Sequence, residues 1–301
     1  LQDQMGNAIV TASGTTLLGA DNKAGVAEIV TAAAYLTAHP KLAHGTIRIA
    51  FTPDEEVGRG TKYFDVERFG ARCAYTVDGG RRGEVETESF SADAMTVMFH
   101  GFNTHPGYAK GRMINAIKVA ADFIQLLPRD RLTPETTGGD EGFVHPYTMQ
   151  AGVERTSVRL IVRDFTRPGL QVKEALITRL AEDAVGRHPG SRATFEVEEQ
   201  YRNMKEVLDR YPEVAEYARE AVRRSGLDVL EQPIRGGTDG SRLSFMGLPT
   251  PNIFAGEHNF HSRLEWVSAA DMEKAVEVIV NLCRIWEERT PAGSRPIGRV
   301  V

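Results

Sequence analysis

Four acidic positions stand where short apolar runs break off: Asp21 in "LLGADNKAG", the neighbours Glu55 and Glu56 in "FTPDEEVGRG", and Asp78 in "TVDGG". Any one of them reads as a solvated loop or capping residue. If all converge on one sheet edge, their mutual repulsion destabilises the fold unless a cation or a shared proton compensates it. A pair of divalent ions meets that need. One carboxylate bridges the ions, each ion takes a further carboxylate and an imidazole, and a water between them becomes acidic enough to act as a nucleophile. A carboxylate outside the ligand set must then serve as general base for that water. Glu55 and Glu56 are adjacent and cannot easily ligate the same ion, so one ligand and one base is the economical division. Asp54, just before them, is expected to cap or stabilise the turn.

The imidazoles come from eight histidines. His39 and His44 lie near a helix end, and His145 in "VHPYT" and His188 in "GRHPG" read as turn or surface residues. His105 in "NTHPGYAKG" and the pair His258 and His261 in "GEHNFHSRLE" sit in Gly-rich or polar loops beside expected strands. The pair carries more weight, because it follows the expected strand "TPNIFAG" of the same domain as the acids.

Positioning these groups requires a particular order of elements. "KAGVAEIVTAAAYLTAH", Lys23 to His39, has apolar residues at helical spacing and stops before Pro40, which predicts a largely buried helix. "TIRIAFT", Thr46 to Thr52, predicts a strand, and "CAYTVDGG" a second one ending at Asp78. Helix alternating with strand predicts an α/β domain, a mainly parallel sheet with helices on both faces. Ligands of such sheets bind beyond the carboxyl ends of the strands, where Glu55, Glu56 and Asp78 fall. After about residue 88 the texture changes. "DAMTVMFHG", "HPYTMQAGVE", "SVRLIVRDF" and "RATFEVEEQ" read as strands, while "MINAIKVAADFIQLL" and "GLQVKEALITRLAEDAVGRH" read as helices. That predicts an α+β domain over 89–200, two helices on one antiparallel sheet, inserted into a discontinuous first domain of 1–88 and 201–301 that closes on a long helix, Ala269 to Glu288.

Bulk properties exclude several classes. A chain of 301 residues is long enough for two ordinary domains. The net charge is -5, and Lys and Arg are scattered rather than gathered in a stripe, so no nucleic-acid partner is expected. No apolar run approaches a membrane span, no signal-like segment opens the chain, and a cytoplasmic location is the expectation. The two cysteines, Cys73 and Cys283, form no CxxC pair and are expected to be small buried hydrophobes rather than a disulfide or a thiolate zinc site.

Several longer stretches, in order, carry a resemblance: "TTLLGADNKAGVAEI", "FTPDEEVGRGTKYFDVERFGA", "YTVDGG", "HPGYAKGRMINA", "GGTDGSRLSFMGLPTPNIFAG" and "NFHSRLE". The sequence resembles the dinuclear zinc exopeptidase family that includes carboxypeptidase G, desuccinylases and aminoacylases, in its tripeptide-aminopeptidase branch. The resemblance implies that Asp21 bridges two zinc ions, with a cis bond from Asp21 to Asn22, that Glu55 is the general base, that Glu56 and His261 bind one zinc, and that Asp78 binds the other. His261 is preferred to His258 because Glu265 follows it by four. The inserted domain is expected to be a lid and dimerisation domain. His105 is expected to reach the partner subunit's site and stabilise an oxyanion. Arg235 and Arg163 are candidates for gripping the carboxylate of a short peptide substrate, Arg163 reading also as a strand-face charge, and Asn203 and Lys110 are weaker candidates. The resemblance also implies a His-x-Asp motif before the bridging aspartate, and none precedes Asp21. The chain is therefore expected to be part of a longer protein, or else inactive, and to hold one zinc through Asp21, Glu56 and His261. The expected reaction is hydrolysis of the N-terminal bond of tripeptides. The alternatives are another amidohydrolase activity of the same family, on a dipeptide or an acylated amino acid, or an incomplete homologue acting as a dimerising module.

Overall fold

The structure, a computed structural model, describes residues 2–290; residue 1 and residues 291–301, which the expected first domain includes, lie outside the described residues. The chain forms two compact units. One takes the residues up to Ser89, Met204–Ile234 and those from Thr238 on, and the other takes Phe90–Asn203 with Arg235–Gly237.

The first unit opens with strand β1 (Ile9–Thr11) and helix α1 (Ala20–Ala38). Ala20, Ala24, Glu28, Ala32 and Leu36 recur every fourth residue and form the buried stripe of α1. The helix stops at His39, whose N–H still bonds to the carbonyls of Tyr35 and Leu36, because Pro40 cannot continue it. A short helix α2 (Val66–Phe69), capped by Asp65 accepting from the Arg68 N–H, leads to strands β2 (Thr76–Gly79) and β3 (Val85–Glu86).

The second unit is built of strand β4 (Ser91–His100), helix α3 (Ala116–Leu126), strands β5 (Phe143–Ala151) and β6 (Arg155–Asp164), helix α4 (Arg167–Gly186) and strand β7 (Arg192–Tyr201). Its four strands lie in the order β5-β6-β4-β7, all antiparallel, with Met95 of β4 opposite Leu160 of β6 and Val197 of β7. Alternation on β4 turns Met95, Val97 and Phe99 into the core, where α3 contributes Val119 and Phe123 and α4 contributes Ile177 and Ala181. Both helices begin on side-chain caps: Asn115 accepts from the Ile117 N–H at 2.9 Å, and the Thr166 hydroxyl accepts from the Gly169 N–H at 3.1 Å.

The chain then returns to the first unit through helices α5 (Lys205–Leu208), α6 (Pro212–Arg224) and α7 (Asp239–Phe245), strands β8 (Asn252–Phe254), β9 (Glu257–His258) and β10 (Trp266–Ser268), and helix α8 (Ala269–Arg289). β2 pairs parallel with β8, placing Val77 beside Ile253, and β3 pairs antiparallel with the other edge of β8. β1, β10 and β9 form a second, antiparallel sheet. α8 packs on α1 and α6, and its Val278, Leu282 and Ile285 share one core with Val77, Ile253 and Phe254. The molecule is α/β, and no described helix is long and apolar enough to cross a membrane.

One expected element is missing: Thr46 to Thr52 forms no strand. β-branched residues favour a strand only where a neighbouring backbone supplies the ladder and a face to pack on. Here no ladder partner is present among the described residues, and Ile47, Ile49 and Phe51 remain 40%, 44% and 53% exposed. The run instead lines an open, largely apolar cavity of about 830 Å³, together with α1, β2 and α8. Cys73 and Cys283 line it too; both are free, and burial pushes their thiols up to about 12 and about 11, so they behave as the expected small hydrophobes.

Two predictions follow from this packing. Phe123 is fully buried with its ring 5.4 Å from that of Phe99, so Phe123→Ala should cost about 3–5 kcal/mol, read as a lowered urea midpoint of the second unit's transition. Glu28 is 1% exposed, and burial, with the charge of Glu257 second, pushes its carboxyl from 4.5 up to about 9. The folded value lies above the unfolded one, so this site's contribution is complete below about pH 4.5 and is lost as pH rises toward about 9. In chelator, Glu28→Gln should therefore melt with the parent at pH 4 and clearly above it at pH 8.

Candidate metal centre

Asp21 is placed by backbone bonds rather than by helix geometry. Gly19 ahead of α1 takes the left-handed conformation, Asp21 and Asn22 leave helical φ and ψ, and the Asp21-Asn22 peptide is cis, as the resemblance implies. The carboxylate of Glu265, 1% exposed, spans this start: one oxygen accepts from the Gly19 N–H at 2.7 Å and the other from the Asp21 N–H at 2.9 Å. Asn22 donates its amide to the Val77 carbonyl at 2.8 Å and accepts from the Gly25 N–H at 3.0 Å, which ties the first turn of α1 to β2. Glu265 enters the sequence reading only as a marker for the histidine. Its work as an anchor has no local signature, because its partners lie on the other side of the chain's order.

His261 follows β9 in a tight loop in which Asn259 and His261 both adopt positive φ, 58° and 57°. That loop brings its Nε2 to 3.1 Å from Asp21 Oδ2 and 3.0 Å from Glu56 Oε2. His258 goes elsewhere and stacks on Trp266, ring centroids 3.9 Å apart. Glu55 and Glu56 open a 3-10 turn, Glu55–Val57. Asp54 does not cap it with its side chain; of the two expected roles, capping or stabilising the turn, its backbone serves the second. It takes the left-handed conformation, φ 62°, and its carbonyl accepts from the Arg59 N–H at 3.0 Å, so the turn closes through backbone alone.

Two donor sets meet at Asp21. Asp21, Glu56 and His261 present ligand atoms within 4.8 Å of one another, and so do Asp21, Asp78 and Glu257. The cost of assembling these acids appears in their proton affinities. Burial, then the charge of Glu56, raises Asp21 above its ordinary value. Burial, then Asp239 and Glu56, pushes Glu55 up to about 7, and burial, then Glu55 and Asp21, pushes Asp78 up to about 8. Asp239 at the start of α7 is a further member of this group that the sequence reading passes over. It is buried and accepts from the Thr52 hydroxyl at 2.6 Å. "GGTDG" reads as a turn, and only the fold turns that aspartate inward. A cluster of carboxylates with one imidazole and little compensating charge is chemically suited to a divalent cation.

The remaining candidates lie in the second unit. His105 is exposed, accepts from the Gly107 N–H at 3.1 Å through Nδ1, and has its ring 5.3 Å from that of Tyr108. Arg163 lies over the Tyr201 ring and donates to its hydroxyl. Asn203 is 3% exposed and donates its amide to the Phe165 carbonyl. Arg235 donates to the carbonyls of Gly139 at 2.6 Å and Glu141 at 2.8 Å and to the Thr137 hydroxyl, with its guanidinium over Phe90. Lys110 is exposed.

Residues 18–284 match the model of peptidase family M20/M25/M40. Peptidase T of Clostridium perfringens is 50% identical over 284 residues, 94% of this chain and 70% of the relative. The solved structure of aminopeptidase PepT from Bacillus cereus superposes with a TM-score of 0.77 at 25% identity, over 92% of this chain and 74% of that one. A dinuclear metal-binding peptidase of the M20 family from Bacillus subtilis shares the fold, with a TM-score of 0.64 at 18% identity over 88% and 72% of the two chains. The chain belongs to peptidase family M20/M25/M40, in the company of its peptidase T relatives.

Proposed function

We propose that this chain is a zinc-dependent aminopeptidase that releases the N-terminal residue of tripeptides, with Glu55 as its general base. The observation that carries the reading is the meeting of His261 Nε2 with Asp21 and Glu56 at 3.1 and 3.0 Å, one residue from Glu55. Asp21, Glu56 and His261 would hold one zinc ion and Asp78, with Asp21 shared, the other; when bound, the ions polarise the scissile carbonyl and acidify the attacking water. Glu55 takes the proton from that water and returns it to the departing amine. It shares a turn with Glu56, and its carboxyl feels the charges of Asp239, Glu56 and Asp21. The dinuclear character of the fold relative from Bacillus subtilis supports the two-ion arrangement.

In this reading the domain over 89–200 is a lid that also dimerises. His105, exposed on its loop, donates to the developing oxyanion in the partner subunit's site. Arg235 grips the substrate carboxylate; its bonds to the carbonyls of Gly139 and Glu141 fix the planar fork in place. Arg163 and Asn203 support that grip from their hydrogen bonds to Tyr201 and Phe165. The protein works in the cytoplasm on short peptides. A second reading, a catalytically incomplete module that dimerises, draws support from one feature: His261 is the one imidazole in the two donor sets found among the described residues.

Glu55→Gln should lower kcat on a tripeptide by roughly 10²–10⁴-fold while zinc content stays unchanged; full turnover with intact metal would remove Glu55 from the role of base. Tri-, di- and N-acylated substrates assayed in parallel should show the tripeptide turned over fastest, and a preference for the acylated amino acid would shift the assignment to the other amidohydrolases of the family.

A further inference from the structure

Glu257 plays no part in the function proposed above, yet its setting is unusual. It lies on β9, is 1% exposed, and both of its carboxylate oxygens are buried without a hydrogen-bond partner. A buried carboxylate left this way is costly unless a cation or a proton compensates it. The antiparallel pairing of Glu257 with Val267 of β10 fixes its backbone. Its side chain presents a ligand oxygen within 4.8 Å of ligand oxygens on both Asp21 and Asp78. Three oxygens spread evenly around one ion at about 2.1–2.2 Å stand no more than about 3.8 Å apart, so closure on a cation asks for side-chain movements of up to about an ångström. Glu28, two turns along α1 from Asp21, is likewise 1% exposed with both oxygens unpartnered, and its charge repels that of Glu257 rather than compensating it.

We propose that Glu257 is a metal ligand, completing with Asp21 and Asp78 a second cation site that shares Asp21 with the Asp21–Glu56–His261 set. The two sites differ in chemistry. The first carries an imidazole, whereas the second offers oxygens alone among the described residues, a set that takes Mn2+ as well as zinc. The inference rests on the reading of Asp21 as a shared ligand, but its test is separate.

The test is titration of the 301-residue chain, stripped with chelator, with Mn2+ alone, followed by calorimetry and by electron paramagnetic resonance. The parent should take two Mn2+ per chain and show the spin-coupled signal of neighbouring ions. Glu257→Gln should weaken one of the two by more than the roughly 10–100-fold seen when only an outer-shell partner is lost, leaving an uncoupled signal. His261→Ala should weaken the other. Glu28→Gln, which removes a comparable buried acid outside the donor set, should leave two. One Mn2+ per chain in the parent overturns the proposal whatever the variants do, as does Glu257→Gln with unchanged stoichiometry and affinity. A His261→Ala variant that binds like the parent would instead remove the first site.

Discussion

The repulsion among carboxylates drawn to the carboxyl ends of β2 and β8 is the constraint on which the first unit depends. Asp21, Glu55, Asp78, Asp239 and Glu257 are each shifted upward, with burial the leading cause, and most feel the charge of one or more of the others. Such a group does not assemble by default. Much of the local structure can be understood as holding it together: Glu265 clasping the Gly19 and Asp21 N–H groups, Asn22 bonding to the Val77 carbonyl, Thr52 donating to Asp239. None of these bonds is local in sequence. The interaction that opposes them is electrostatic, and a divalent cation reverses its sign.

Much of this was legible in the residues. α1 could be read from its alanine-rich spacing and from Pro40, because both act within a few residues. The second unit was legible almost element by element, since an antiparallel sheet with one buried face writes a period of two into β4 and β6, and the helices across it write a period near four. The family resemblance drawn from "FTPDEEVGRG" and its companion stretches is borne out by the match over residues 18–284. His261 was preferred to His258 on the resemblance; the structure sets His261 3.1 Å from Asp21 and stacks His258 on Trp266.

What was not legible depends on distant partners. Thr46 to Thr52 has the composition of a strand, but strand formation is a property of a pair, and the described residues supply no second member. Asp54 could be read as capping or stabilising its turn, but not as doing so through its carbonyl rather than its side chain. Glu257 and Asp239 gave no sign of their burial, because an acid beside a histidine or a Thr-Asp pair in a Gly-rich run reads as surface. Only the register of β9 on β10 and the start of α7 on its Thr238 cap turn them inward.

The two cysteines of the first unit are free, so no covalent staple joins its separate stretches. The residues that could hold an ion, however, sit at positions 21, 56, 78, 257 and 261, spread along almost the whole chain. An ion bound there closes loops longer than any a disulfide between neighbouring elements would close, and the entropy that a cross-link removes from the unfolded chain grows with loop length. A site that holds an ion there would then also be a topological fastener. Its grip is reversible and set by the free concentration of the ion, so the stability of the first unit becomes a reading of the metal supply around it.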